Sequence, residues 1–188
     1  MDELKLEIVN YEAIMEFWFS EPANKQWFKS NPEFDTEILR KYHLTWTQAS
    51  NNQLDYWQDT AESCLALIIV LDQFPLNMFR GTAKSFSTEA KAINVSRKAI
   101  SNGFDKLLST TQLSFLYMPF MHSEILENQN YSVKLFEQAG LESNIRFAKH
   151  HRSIIERFGR FPHRNEILKR TNTSEELEYL ASPQAFKG

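Results

Sequence analysis

An all-α fold is what this sequence predicts, and three observations predict it. No stretch alternates apolar and polar residues with period two for long enough to make a strand. Apolar residues recur instead at three- and four-residue spacing along nearly the whole chain. Helix punctuation is frequent, with Asn, Ser or Thr ahead of apolar runs and Pro or Gly behind them. Helices of this length joined by short connections favour antiparallel pairs, in a bundle or a solenoid. The 188 residues suit a single domain, 1–188, with 182–188 as a loose tail.

Each element follows from its own residues. Asn10 caps a helix carrying Ala13, Ile14, Phe17 and Trp18, which stops at "SEPAN", where Pro22 intervenes. In "NPEFDTEILRKY", Asp35 is the expected N-cap, with Ile38, Leu39 and Tyr42 as the buried face. Thr45 and Gln48 fit a capping box. The strongest helix is expected from Leu54 to Phe74, apolar nearly all round at its end and stopped by Pro75. "LNMFRG" reads as a turn closed by Gly81, and helical spacing resumes from Phe86 towards Gly103. Ser109 and Gln112 open a helix that Pro119 kinks or restarts. A helix with Tyr131, Val133, Leu135 and Phe136 ends at Gly140. The next covers 142–158, with Phe147, Ala148, Ile154, Ile155 and Phe158 as its apolar positions. Thr173 and Glu176 form the capping box of a last short helix. "QFPLNMF" and "RFPHRNEIL" echo one another as Phe-Pro elbows between helices.

Composition narrows the function classes. Aromatic residues make up 13%, which implies a thick core or an aromatic-lined groove. The one cysteine, Cys64, lies in an apolar run, and no Cys/His spacing suits zinc. "MDELKLEIVN" is acidic and has no apolar signal region. The longest apolar runs, "CLALIIVL" and "FLYMPFM", fall short of the ~20 residues of a membrane span. A reduced, cytoplasmic protein is expected. Net charge is −3, but residues 1–62 carry twelve Asp/Glu against five Lys/Arg, and residues 146–170 carry eight Lys/Arg against two Glu. The basic stretch is either neutralised by acids within the fold or forms an anion-binding surface. Net acidity disfavours a nucleic-acid partner.

Helical spacing turns several polar residues inward. Asp72 shares a stripe with Ala61, Leu65 and Ile68. His151 shares one with Phe147, Ile154 and Phe158, while His150 points elsewhere. Glu124 falls in line with Leu113, Tyr117 and Phe120, and His122 with Phe115, Met118 and Ile125. A buried carboxylate needs a partner. Arg80 is the nearest in sequence to Asp72, and the arginines of "ERFGRFPHRN", residues 156–165, are the others. Phe158, Phe161 and Pro162 would dry such pairs and strengthen them. The cluster fits a structural hydrogen-bond network, a pocket for a small anion or, least well beside so much guanidinium, a metal site. No cofactor is called for.

"LDQFPLNMFRGTAKSF", "FLYMPFMHSEILENQNYSVKLF" and "HRSIIERFGRFPHRNEIL" resemble the hallmark stretches of a bacterial family, domain of unknown function 924. The likeness extends to the N-terminal "FWF" and "WF" and to "TSEELEYL". It implies a tetratricopeptide-like, right-handed superhelix of antiparallel helix pairs, and supplies no reaction. The family pattern covers Asp72, Gln73, Phe74, Pro75, Asn77, Phe79, Arg80 and Gly81, then Pro119, His122, Glu124 and Gln129. In the last stretch it covers His151, Arg157, Gly159, Arg160, Pro162, His163, Arg164 and Asn165. Leu76 stands where the family usually has arginine, and Lys169 where it usually has glycine before Arg170. The candidate site is therefore Asp72, Asn77, Arg80, His122, Glu124, His151, Arg157, Arg160, His163, Arg164 and Asn165, with no metal. The expected function is a binding module for a peptide or protein partner through a polar groove lined by Arg, His and acidic residues, Asp72, His122, Glu124, Arg157 and Arg160 among them. The alternative is a small-anion receptor, or an enzyme pairing His/Glu acid–base chemistry with an arginine clamp.

Overall fold

A computed structural model describes residues 9–187 and is helical throughout, with no strand among the described residues. The chain divides into two compact units. The first runs up to Arg80 and resumes over Lys84–Pro119; the second comprises Gly81–Ala83 and Phe120 onward.

In the first unit, α1 (Tyr11–Phe19) starts where Asn10 Oδ1 accepts the Ala13 amide, and Ser20 caps the one-turn α2 (Glu21–Asn24). The long α3 spans Pro32–Ser50 and corrects three expectations, one of them Leu39, which is exposed while Ile38 and Tyr42 are buried. Its N-cap is Asn31, not Asp35, because Asn31 Oδ1 receives the amides of both Glu33 and Phe34 and Pro32 fits N1. Thr45 and Gln48 therefore lie inside the helix, where Thr45 is fully buried. Tertiary burial outweighs a local capping signal there.

The central helix also differs from expectation at both ends. Residues 55–59 form a 3₁₀ turn, and α4 (Ala61–Ile68) begins only after Thr60, whose hydroxyl accepts the Ser63 amide. At the other end Pro75 does not stop it. A single π turn, Ile69–Gln73, carries the chain into α5 (Phe74–Met78), with the Phe74 amide reaching back five residues to Ile69 O. The wider turn makes room for a ring that would clash with the carbonyl of residue 71 in a regular helix. Pro75 has no N–H to give that carbonyl. The Thr88 hydroxyl donates to Leu71 O instead, at 2.6 Å, and accepts from Trp46 Nε1 at 3.3 Å. Ala61–Met78 is long and apolar enough to cross a membrane, yet 89% of it is buried inside the protein, as befits a core helix. α1 and α6 (Glu89–Ser101) pack on α4, and α3 packs on α5.

Helix α7 spans Thr110–His122, opened by the expected Ser109/Gln112 capping box, with Pro119 inside it. The second unit then builds α8 (Leu126–Gln138) and α9 (Glu142–Phe158), a helical hairpin turned by Gly140 at φ +66°. Gly159, at φ +69°, ends α9 and gives its amide to Ile155 O. A 3₁₀ turn at Pro162–Arg164 follows, and the Thr173/Glu176 capping box opens α10 (Ser174–Ala181). Ile154, Ile155, Phe161 and Tyr179 form a small core under these pieces. Phe147, expected on the buried face of α9, is 55% exposed, while Ala148 beside it is fully buried.

Candidate functional site

The candidate residues fall in both units. In the first, the two oxygens of Asp35 take the Arg80 fork at 2.6 and 3.0 Å, and Asn77 Nδ2 adds a third bond at 2.8 Å. The carboxylate that Arg80 grips is thus Asp35, the residue expected as the α3 N-cap, and not Asp72. Asp72 is buried and accepts from Gln73 Nε2 at 2.6 Å; that amide also contacts Met118 Sδ.

In the second unit, helix α7 ends at His122, so Glu124 lies in the connection to α8 and not on an α7 stripe. Side chains answer carbonyls at the end of α7 and just beyond it. Gln129, wholly buried, donates to Met121 O at 2.7 Å and Ser123 O at 2.6 Å, and Arg164 Nη2 donates to His122 O at 2.8 Å. A guanidinium suits that position, where the helix dipole leaves negative charge. Arg164 also stacks over the Phe161 ring at 4.7 Å.

Glu124 is held by the last stretch, through Arg170, a residue outside the expected set. Arg170 forks onto its two oxygens at 2.6 and 2.9 Å, and the Phe161 amide donates to it at 2.7 Å. Arg170 Nε reaches Asn165 Oδ1 at 2.9 Å, and Asn165 passes the chain of bonds to Asn172 at 2.7 Å. Burial pushes the Glu124 carboxyl up, but the Arg170 and Phe161 hydrogen bonds and the nearby guanidinium charges outweigh it and leave it below its ordinary value. Arg160, expected to answer an inward acid of the earlier stretches, is forked on Glu176 at 2.6 and 2.8 Å and also donates to Thr171 O. Glu176 is the N3 acid of the α10 capping box, so one carboxylate serves helix start and guanidinium together. The Arg160 bonds draw its pKa down to about 2, against the opposing effect of burial. Arg157 pairs with Glu175 at 2.8 Å, Lys149 with Glu137 at 2.7 Å, and Arg152 with Glu156. Much of the basic excess of 146–170 is thereby neutralised inside the unit.

The imidazoles lie in an aromatic corner. His151 is buried, with Nδ1 on Phe147 O at 2.8 Å. Burial, assisted by the neighbouring His122, His150 and His163 and opposed by that carbonyl, depresses its pKa to about 3. Burial and then the Arg164 charge depress His163 to about 4. Both rings are neutral at pH 7. Beside this corner, α9 and α10 border a groove of about 440 Å³ lined by His150, Ser153, Ile154, Arg157, Phe158, Glu178, Tyr179, Ser182 and Gln184. Of the expected site residues, Arg157 lines it. Among the described residues, no three His, Cys, Asp or Glu side chains are grouped to hold a cation.

A helical protein with guanidinium–carboxylate pairs at its elbows is the class that fold and site define. This chain belongs to the family described as "Bacterial protein of unknown function (DUF924)", which it matches over residues 14–184. It is similar to the solved structure of a protein of unknown function, ATU0120 from Agrobacterium tumefaciens. The two are 38% identical with a TM-score of 0.87, over 91% of this chain and 96% of that one. No curated protein matches it.

Proposed function

We propose that this protein is a cytoplasmic binding module that takes an extended peptide segment of a partner in the groove between α9 and α10. The observation that carries the reading is the contrast between site and groove. Glu124, Arg160 and Arg170 spend their charges on one another and on Glu176, which suits a network that locks elbows. The groove instead offers a mixed wall. Its lining mixes polar residues, His150, Ser153, Tyr179 and Gln184, with the apolar Ile154 and Phe158, a mixture that suits an extended backbone with occasional apolar side chains. The tetratricopeptide-like superhelix implied by the family resemblance agrees with peptide binding. Acid–base chemistry with an arginine clamp has less support, since Arg160 is already held and His151 Nδ1 is engaged with a backbone carbonyl.

The test is selection of displayed random peptides on the intact protein. Selected peptides should lose at least tenfold in affinity when Ser153→Trp fills the groove, while thermal unfolding stays cooperative. Peptides indifferent to Ser153→Trp, or a selection that enriches nothing, would sink the reading.

A further inference from the structure

The segment after α10 is built around one side chain. Phe186 stands edge-on among three imidazoles, its ring centroid 4.4 Å from His151, 5.0 Å from His163 and 6.2 Å from His150. Interplanar angles of 61°, 84° and 76° make all three contacts edge-to-face. That geometry favours a π-system over an aliphatic group, because the quadrupoles of the rings align edge against face. Among the described residues, few hydrogen bonds tie the segment down. The Phe186 amide donates to Tyr179 Oη at 2.9 Å, and the Ala185 amide closes only a local turn onto Ser182 O. Phe186 joins Phe158, Leu180 and Ala185 in the partly buried outer layer of the small core beneath. A segment with so few attachments opens at a small fraction of the cost of global unfolding.

The same segment walls the groove. Ser182 and Gln184 line it, and Tyr179 both lines it and holds Phe186 in place. Seat and groove are therefore continuous through shared residues.

We propose that the His150–His151–His163 seat is the specificity pocket of the groove, that it takes one phenylalanine ring of an extended partner peptide, and that Phe186 is its built-in competitor. The inference rests on the peptide-binding reading above and adds what is bound and how binding is restrained. A partner carrying a suitably spaced phenylalanine displaces residues 182–187, and the displaced wall widens the groove for the rest of the peptide. The free protein's apparent affinity is lowered by the fraction of time that Phe186 occupies the seat.

The experiment uses the full chain and a synthetic peptide, SPQAFKG, with the sequence of residues 182–188, and SPQAAKG as its control. Phe186→Ala should shift the imidazole NMR signals of all three histidines and bind SPQAFKG at least tenfold more tightly than wild type does. SPQAAKG should bind neither protein. Phe186→Leu preserves bulk without the ring and is the second variant, should Phe186→Ala not unfold cooperatively; it should show the same direction with a smaller gain. Equal binding by wild type and variants, or no binding by a variant that unfolds cooperatively, overturns the proposal. If displayed peptides still bind in a Ser153→Trp-sensitive manner while SPQAFKG does nothing, the groove reading stands and the competitor falls. If both fail, both fall.

Discussion

At the scale of single residues, the telling position is Lys169. It holds φ +55°, a left-handed conformation that costs an ordinary residue about 1–2 kcal/mol and glycine almost nothing. The strain serves the next residue. The turn returns the Arg170 amide to Asn165 O at 2.8 Å and aims the Arg170 fork at Glu124. Lys169→Gly should therefore stabilise the protein by about 0.5–1 kcal/mol, the relief of strain exceeding the added freedom of the unfolded chain. Denaturant unfolding with an unchanged slope checks this, and a loss of stability would mean that the lysine side chain itself matters. The departure from the family pattern at this position was legible in the sequence. That it falls on a left-handed residue required coordinates.

At the scale of elements, the π turn before Pro75 explains how one helix can contain a proline and remain the core of its unit. A missing donor, a widened turn and a hydroxyl supplied from residue 88 act together. Thr88→Val removes that hydroxyl and leaves both Leu71 O and Trp46 Nε1 without their partner in a buried setting. The expected cost is about 2 kcal/mol or more. In a Pro75→Ala background the backbone regains an N–H that can serve Leu71 O, so Thr88→Val should cost measurably less there. Additive costs in that double-mutant cycle would contradict the coupling. The elbow of the second unit works similarly, with Gln129 and Arg164 supplying the donors that the end of α7 lacks.

At the scale of the whole molecule, two histidines that are neutral when folded link stability to pH. Free imidazole titrates near 6.5, whereas His151 and His163 are pushed down to about 3 and about 4. Between those values the unfolded chain binds protons that the native state refuses, so stability rises with pH. It is fully present above pH 6.5 and declines as pH falls towards 4, by about 1.4 kcal/mol per pH unit for each imidazole at most. Glu176 acts lower still; its contribution is present above its unfolded pKa and fades as pH falls towards about 2. The urea midpoint should thus change little above about pH 6.5 and fall from there to pH 5. Replacing both His151 and His163 by Gln should flatten that slope, and an unaltered slope would refute their role.

Periodicity and punctuation were sufficient for the all-α class, for the caps at Asn10, Ser109 and Thr173, and for the inward turn of Asp72 and His151, because each depends on residues within a few positions of one another. The partners of the charged residues were not readable in this way. Arg80 takes Asp35 across 45 positions, Glu124 takes Arg170 across 46, and Arg160 takes an acid whose sequence signature announces only a helix start. An arginine's neighbours in sequence say which groups are near along the chain. Which carboxylate desolvates against it is set by how the helices pack, and packing also decides that the helix continues through Pro75 by way of a π turn and that Phe186 finds a ring of imidazoles.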